Sequence, residues 1–304
     1  MSESLPAPPS SAPASAPAGV IHDIGYRHYD GPRLSRGHAT LALTVHSLRG
    51  VFGLGRTVRA KIIPFALFGI MMLPAVVSIA MMAMLKERGM AYSQYTVIMQ
   101  AIPAIFLASQ SPYTVAPDLR FRVLPLYLSR PVTIRDYVSA KLAAMTAALF
   151  LLLAVPLTVL FVGELVVDMP GPAQTSEYLA SLAGAAGHAV LLAALGVAIA
   201  SFTPRRGLGV AAVIAFYLLS SGVSGALVGM MESVGDDAAA AWAWLISPFF
   251  VVDAAIHVGV FGLDPAADSY PGGFGVAAAI LIMLGLIALS VTALILRYRK
   301  AASR

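Results

Sequence analysis

The sequence predicts an all-α polytopic membrane protein with six transmembrane helices. First, 59% of its 304 residues are hydrophobic and 12% are charged, against roughly 25% charged residues in soluble domains. Second, it contains six apolar blocks of 20 to 24 residues, and about 20 residues of helix cross a hydrocarbon core. Third, 18 of the 20 Lys and Arg residues fall in segments that can share one side of a membrane, as the positive-inside trend requires.

The positions of these blocks and of the basic residues predict the topology. Both termini are expected in the cytoplasm, because basic side chains resist translocation. Lys86 and Arg88 are the only basic residues predicted outside, where ten of the 15 acidic residues lie. The predicted spans are Ile62–Leu85, Thr96–Val115, Ser139–Val162, Leu179–Phe202, Leu208–Met230 and Phe274–Leu296.

The formal charge of +5 is explained by this topology. Basic rims that meet anionic membrane lipid explain it better than nucleic-acid binding, so no nucleic-acid partner is predicted. The chain has no cysteine, which excludes disulfides, thiol catalysis and cysteine metal sites. No metal site is predicted.

The chain is predicted to consist of three segments. Residues 1–21 are mostly Ser, Pro and Ala and are predicted to form a disordered cytoplasmic tail. Residues 22–61 are predicted to form a cytoplasmic loop and an amphipathic helix, and residues 62–300 the six-helix membrane domain. In the loop, Tyr26–Asp30 could dock on a partner or pack under the protein's own cytoplasmic face.

The amphipathic helix is predicted from His38 to Lys61. Its apolar residues recur at spacings of four, three and four and are bordered by Arg49 and Arg56. This pattern is typical of a helix in the membrane interface. Packing on other cytoplasmic elements is the alternative. The stripe consists of Leu41, Val45, Leu48 and Phe52.

The second predicted span contains unusual polar residues. Gln100, Ser109 and Gln110 lie among apolar neighbours, and an amide in hydrocarbon is costly unless it meets a partner or water. These side chains are predicted to line a cavity, with helix–helix hydrogen bonding as the alternative.

The fifth predicted span carries a row of small residues, Ser221, Gly225 and Gly229, at four-residue steps. Such a row lets another helix approach closely. It could serve internal packing or dimerisation.

The apolar stretch Ala241–Phe261 is ambiguous in topology. It contains Asp253 and His257, and Ser247-Pro248 interrupts it. A seventh span would also move Arg297, Arg299 and Lys300 outside. We therefore predict extracytoplasmic helices that lie on the membrane surface or re-enter it. Asp253 and His257 are interpreted as interfacial polar residues rather than as a metal or proton site.

The segment between spans 2 and 3 has a readable local structure. A short apolar stretch, Leu124–Leu128, is followed by a proline at position 131. Thr133 and Asp136 have the spacing of a capping box, which predicts that the next helix begins near Ile134. An apolar, arginine-bordered element joined to a rigid helix is suited to transmit force from a soluble partner.

This segment resembles the type-2 ABC transporter permeases, which are membrane subunits of exporters. The matching residues are Tyr127-Leu-Ser-Arg-Pro-Val132, Asp136-Tyr137 and Lys141. The resemblance extends to the six-span layout and to Leu245–Phe249, and covers roughly Tyr26 to Lys300. Pro125 departs from the pattern, since many members have a Gly-Thr or acidic lead-in there.

The resemblance implies the membrane subunit of an ATP-driven exporter in a prokaryotic plasma (inner) membrane. It would pair with a second copy or a paralogue through Ser221, Gly225 and Gly229, and each copy would bind an ABC ATPase subunit. ATP and Mg would bind in that partner, because no phosphate-cradling loop motif occurs in this chain; the chain is not expected to be an enzyme. The predicted coupling residues are Tyr127, Leu128, Ser129, Arg130, Pro131 and Arg135.

Three alternative functions have different sequence requirements. A non-transporting mechanotransmission or assembly subunit of an ABC complex would use the same coupling element. A secondary transporter would need an ionisable group near the middle of the membrane, and the predicted spans contain Lys141, His188 and no carboxylate. A membrane enzyme would need a catalytic cluster, and neither HExxH nor GxSxG occurs.

Overall fold

The computed structural model describes residues 31, 34–121, 123–129, 131–167, 169–203, 205–267 and 270–303. The chain divides into two compact units, residues 1–34 and 35–304, and every helix below belongs to the second. The expectations for residues 1–21, for Tyr26–Asp30 and for Arg130 lie outside the described residues.

The described residues form helices and connecting turns, with no β-strand among them. Besides one bent helix pair that could form a sixth span, five helices among the described residues are long and apolar enough to cross a membrane: Val58–Leu85, Ile134–Val166, Thr175–Phe202, Arg206–Ser233 and Phe274–Ala302. They contain predicted spans 1, 3, 4, 5 and 6, and the chain is therefore compatible with a multi-pass membrane protein. The helices are α1 (Arg36–Val51), α2 (Val58–Leu85), α3 (Tyr92–Ile98), α4 (Ala101–Arg120), α5 (Leu124–Leu128), α6 (Ile134–Val166), α7 (Thr175–Phe202), α8 (Arg206–Ser233), α9 (Asp237–Trp244), α10 (Pro248–Asp253), which continues into a π-helical turn (Ala254–Val258), and α11 (Phe274–Ala302).

The second predicted span is not one continuous helix. The prediction of a single helix over Thr96–Val115 is wrong, because the chain breaks at Met99 and Gln100 between α3 and α4. Helix α4 is also not among the helices apolar enough to span a membrane. Its polar residues are tolerated because α4 packs among α6, α7 and α8 and buries much of its surface against them.

The predicted amphipathic helix is shorter than expected. It ends at Val51, turns through Gly53 and Gly55, both at positive φ, and the next helix begins at Val58. Leu48 and Phe52 pack against the core, whereas Leu41 and Val45 are exposed. The stripe thus divides between an outward-facing half and a protein-facing half, in which the Phe52 ring lies 6.2 Å from that of Phe65 on α2 and 6.0 Å from that of Phe106 on α4.

Helix α7 lies at the centre of the bundle, in contact with α4, α6, α8 and α11. Its small residues permit the close approach. At Gly196 an added Cβ atom would lie 2.5 Å from carbon atoms of Leu107 on α4. Glycine is therefore required there by packing rather than by backbone conformation.

Replacing Gly196 by alanine is expected to lower the free energy of unfolding by about 1–3 kcal/mol, because overpacking forces neighbours to shift. Gly285 on α11 is a matched control, since a Cβ atom there would meet nothing within 4 Å. Alanine at Gly285 should be neutral or stabilise by up to about 1 kcal/mol. Thermal unfolding of both variants in one detergent measures the difference. Equal shifts would contradict the close contact of α4 with α7.

Two opposite ends of the bundle differ in charge. At the first, which we call the basic end, α1 meets α6 through Arg36 and Asp136, α6 meets α4 through Lys141 and Asp118, and α11 meets α7 through Arg297. The second, which we call the acidic end, includes the start of α7 and the end of α8. The described basic residues at the basic end include Arg120, Arg135, Arg205, Arg206, Arg299 and Lys300.

Helices α9 and α10 form a bent pair at the acidic end, with 93° between them. Helix α9 runs along the last part of α8, where the Ser224 hydroxyl donates to the carbonyl of Ala243 (2.9 Å). The pair then turns, and α10 returns along α7 toward the start of that helix. Both outer ends of the bent pair, the start of α9 and the end of α10, therefore lie toward the acidic end of the bundle.

Candidate functional site

The site begins with the short helix α5 at the basic end. Leu124 is buried, and Tyr127 and Leu128 pack against the core. Leu126 points the other way and is 70% exposed, and Phe121 just before the helix is 68% exposed. The helix thus presents apolar surface outward while its remaining apolar residues fix it to the bundle.

The junction between α5 and α6 is held by a capping box and an arginine. The Thr133 hydroxyl accepts from the backbone N–H of Asp136 (3.3 Å), whose carboxylate accepts from the backbone N–H of Thr133 (2.8 Å). This confirms the predicted cap and the helix start at Ile134. Arg36 on α1 donates to both carboxylate oxygens of Asp136 (2.6 and 2.9 Å) and to Thr133 (2.8 Å). The hydrogen bond to Asp136 raises the pKa of Arg36, which remains a cation.

Three tyrosines connect α5 to the long helices. The ring of Tyr127 lies 5.4 Å from that of Tyr137 on α6, which in turn lies 5.1 Å from that of Tyr298 on α11. Burial, followed by the charge of Asp118, raises the pKa of Tyr127. Its phenol is therefore neutral, and the contact is an aromatic one. A displacement of α5 would press directly on α6 and α11.

An ion pair that is mostly shielded from solvent lies next to Tyr137. The Lys141 ammonium lies 3.0 Å from the Asp118 carboxylate and donates to the carbonyl of Thr114 (3.0 Å). Asp118 also accepts a hydrogen bond from the Tyr137 hydroxyl. The two side chains are 10% and 13% exposed. This pair joins the end of α4 to α6 and was not predicted, although Lys141 was singled out from the sequence.

The predicted coupling residues fall into two groups. Tyr127 and Leu128 face inward, and with Leu124, Ile134, Tyr137 and Tyr298 they line a narrow crevice. Ser129, Pro131 and Arg135 are exposed, and Ser129 donates to the carbonyl of Leu126 (2.9 Å). The sequence predicted Leu128 and not Leu126 as a coupling residue, whereas the structure exposes Leu126 and packs Leu128 against the core.

The predicted cavity-lining residues do not form one group. Gln110 donates to the hydroxyl of Ser109 (3.0 Å), whereas Gln100 lies at the break before α4 with its amide oxygen unpaired among the described residues. The crevice beside α4 is lined instead by apolar residues of α4, α7, α8 and α10, with a volume of about 20 Å³. Within one copy of the chain, this crevice is too small for an organic substrate.

The small-residue row on α8 faces outward in one copy. A Cβ atom at Gly225 or Gly229 would meet nothing within 4 Å, and Ser221 is half-buried. The neighbouring Ser224 makes the contact with α9 instead. Internal packing therefore does not explain the two glycines.

A second buried carboxylate lies at the acidic end. Glu164, close to the end of α6, accepts from Arg88 (2.8 and 3.0 Å), from the Tyr92 hydroxyl (2.7 Å) and from the backbone N–H of Gln174 (3.2 Å). Burial, followed by the hydrogen bond to Glu164, raises the pKa of Tyr92, so the phenol remains a donor. The cluster ties the turns before α3 and α7 to the end of α6.

A third polar cluster joins α10 and its π-helical turn to α7. Asp253, His257 and Ser181 are buried, and the His257 ring lies 3.0 Å from both the Asp253 carboxylate and the Ser181 hydroxyl. Asp253 also accepts from the Tyr270 hydroxyl (2.7 Å) and the backbone N–H of Ala266 (2.8 Å). Asp253 and His257 are thus enclosed by protein, and their interpretation as interfacial polar residues stays a prediction.

Comparison with known proteins gives no match, either to a protein-family model or to a curated protein.

Proposed function

We propose that this chain is the permease subunit of an ATP-driven ABC exporter, in which α5 docks on a separate ATPase subunit. One observation carries the proposal: α5 exposes Leu126 while its other apolar residues press on α6 and α11 through Tyr137 and Tyr298. An exposed apolar residue on a rigidly mounted element is suited to receive force. The match of residues 127–132, Asp136-Tyr137 and Lys141 to the type-2 permeases supports the same function.

The proposal places the basic end in the cytoplasm of a prokaryotic cell and the acidic end outside the plasma membrane, following the positive-inside trend. Both termini are then cytoplasmic, and the α9–α10 pair is a re-entrant element on the outer side. ATP and Mg belong to the ATPase partner.

The proposed assembly contains two permease copies or a copy and a paralogue. The open row at Gly225 and Gly229 supports contact through α8, because small residues let helix backbones approach. The substrate would then move between the copies, since the apolar crevice within one copy measures only about 20 Å³. The same crevice size favours, as a second candidate, a mechanotransmission subunit that transports nothing itself.

Leu126→Asp is expected to weaken binding of the ATPase subunit by about 2 kcal/mol, or about 30-fold, as expected when a buried apolar anchor is lost. The variant should unfold at the same temperature as the native chain, because Leu126 is already mostly exposed. Co-purification from the native host membrane, followed by ATPase assay, measures the loss.

Val234→Asp is the matched control. Val234 is also 70% exposed, but it lies between α8 and α9 at the acidic end. The ATPase should remain bound to this variant. Full retention by Leu126→Asp, or the absence of any ATPase from the native preparation, would contradict the proposed docking.

A further inference from the structure

A basic surface forms where the turn between α1 and α2 packs on α4. The guanidinium of Arg56, in this turn, lies over the ring of Tyr113 on α4, 3.9 Å from the ring centroid. Gly50 on α1 lies against the same ring, since a Cβ atom there would be 3.7 Å from Tyr113 Cε1. The backbone N–H of Leu54 donates to the carbonyl of Arg49 (2.8 Å), which holds Arg49 at the same turn. Two arginines are therefore gathered beside Tyr113.

The start of α8 brings a third arginine to the same part of α4. Gly209 packs on Pro112, where an added Cβ atom would lie 3.0 Å from two side-chain carbon atoms of the proline. Arg205, the N-cap residue of α8, is one turn before Gly209, whose backbone N–H donates to the Arg205 carbonyl (3.0 Å). Pro112 directly precedes Tyr113 in α4. The surface, which we call the arginine surface, consists of Arg49, Arg56, Arg205 and Tyr113.

No acidic side chain among the described residues compensates the arginine surface. Its three arginines are exposed, and the ion pairs between described residues include none of them. Residues 31–86 contain no Asp or Glu. The one acidic residue of α4, Asp118, lies 3.0 Å from the Lys141 ammonium. Positive charge concentrated without a counterion attracts an anionic ligand.

The chemistry of the arginine surface suits a phosphate group. A guanidinium presents its donors in a planar fork that matches phosphate oxygens. The contact with the Tyr113 ring holds the Arg56 guanidinium in place by a cation–π interaction. The N–H groups of that guanidinium have no hydrogen-bond partner among the described residues. They are therefore available to a ligand.

An apolar face next to the arginines distinguishes a lipid from a soluble anion. Val58, Ile62 and Phe65 are exposed at the start of α2, at spacings of four and three residues that place them on one face of the helix. The arginine-bearing turn packs directly on this part of α2, since a Cβ atom at Gly53 would lie 2.7 Å from the carbonyl oxygen of Ala60. A soluble anion would use the arginines alone, whereas a phospholipid would use both the charge and the apolar face.

We propose that the arginine surface binds the phosphate of an anionic phospholipid from the membrane leaflet at the basic end, with an acyl chain of the lipid along the exposed face of α2. Basic pockets between membrane helices bind anionic head groups in this way. A choline head group would add a positive charge that the arginines repel, so the surface selects anionic lipid. Binding requires neither ATP nor a partner protein, and its test does not depend on the proposed permease function.

Lipid binding can be measured on the full chain after delipidation in a neutral detergent. Native mass spectrometry during addition of phosphatidylglycerol gives the dissociation constant of the first lipid bound. Phosphatidylcholine of the same chain length is expected to bind more weakly. Glycerol phosphate, which carries the anionic group without acyl chains, should not displace the lipid at an equal concentration. Equal binding of the two lipids, or displacement by glycerol phosphate, would overturn the proposal.

Arg56→Gln and Arg205→Gln are each expected to weaken phosphatidylglycerol binding about fivefold, which corresponds to about 1 kcal/mol for one basic residue near anionic lipid. Both arginines are exposed, so the unfolding temperature in detergent should not change. A native dissociation constant in either folded variant would overturn the proposal.

Arg135→Gln is the matched control for non-specific attraction. Arg135 is also exposed at the basic end. It adjoins Asp136, which contacts the start of α1, about 20 Å along the helix from Arg49. Its dissociation constant for phosphatidylglycerol should equal that of the native chain. Weakening by Arg135→Gln as large as that by Arg56→Gln would show that net charge, rather than the arginine surface, binds the lipid, and would overturn the proposal.

Discussion

Lys141→Met is expected to lower the free energy of unfolding by about 3–5 kcal/mol. The substitution leaves the Asp118 carboxylate, which is only 13% exposed, without its 3.0 Å ammonium partner, and an uncompensated buried charge is strongly destabilising. It also removes the hydrogen bond to the carbonyl of Thr114 at the end of α4. Denaturant unfolding of the purified chain in mild detergent measures the change.

The double variant Lys141→Met/Asp118→Leu separates charge from packing. Removing both charges should recover most of the loss, because two apolar groups of similar size often replace a buried ion pair at little cost. Lys300→Met on exposed α11 surface should change stability by less than about 0.5 kcal/mol. A double variant no more stable than Lys141→Met would show that packing, rather than the unpaired carboxylate, causes the loss.

Arg88→Met is expected to lower the free energy of unfolding by about 2–3 kcal/mol. The substitution strips Glu164, whose side chain is 2% exposed, of two hydrogen bonds and its countercharge. The value is below the range for fully buried pairs because Arg88 is 32% exposed and its charge is partly screened by solvent. The same unfolding measurement tests it.

Tyr92→Phe provides a graded comparison at the same carboxylate. It removes one hydrogen bond to Glu164 but leaves Arg88 in place, so its cost should be about 1.5–3 kcal/mol. Arg206→Met, on the exposed first turn of α8, should be close to neutral. If Arg88→Met proved as mild as Arg206→Met, water or another group would have to compensate Glu164.

Local signals in the sequence predicted some features well. The start of α6 was predictable because Thr133 and Asp136 satisfy backbone groups only three residues apart. The bend between α9 and α10 follows from Ser247-Pro248. Five of the six predicted spans lie within continuous helices, because length and hydropathy alone identify such helices.

Other features depend on contacts between distant segments. The break at Met99 and Gln100, by contrast, has a local signal in Pro103, which cannot donate a hydrogen bond to the carbonyl of Met99 four residues earlier. Ser181 reaches His257 across 76 residues of sequence. The exposed and buried leucines of α5 could not be separated, because a five-residue helix is too short to show a period.

Few of the 28 residues of helix α8 are buried. Gly209 and Val213 are buried near its start, Ser224 and Val228 near its end, and no residue between Val213 and Ser224 is buried. That interval spans about 16 Å of helix, and within it Tyr217 reaches the core through the ring of Phe249. We therefore expect the tilt and curvature of this stretch to follow the thickness of the surrounding bilayer. A change in acyl-chain length should reshape α8 before it affects the rest of the bundle.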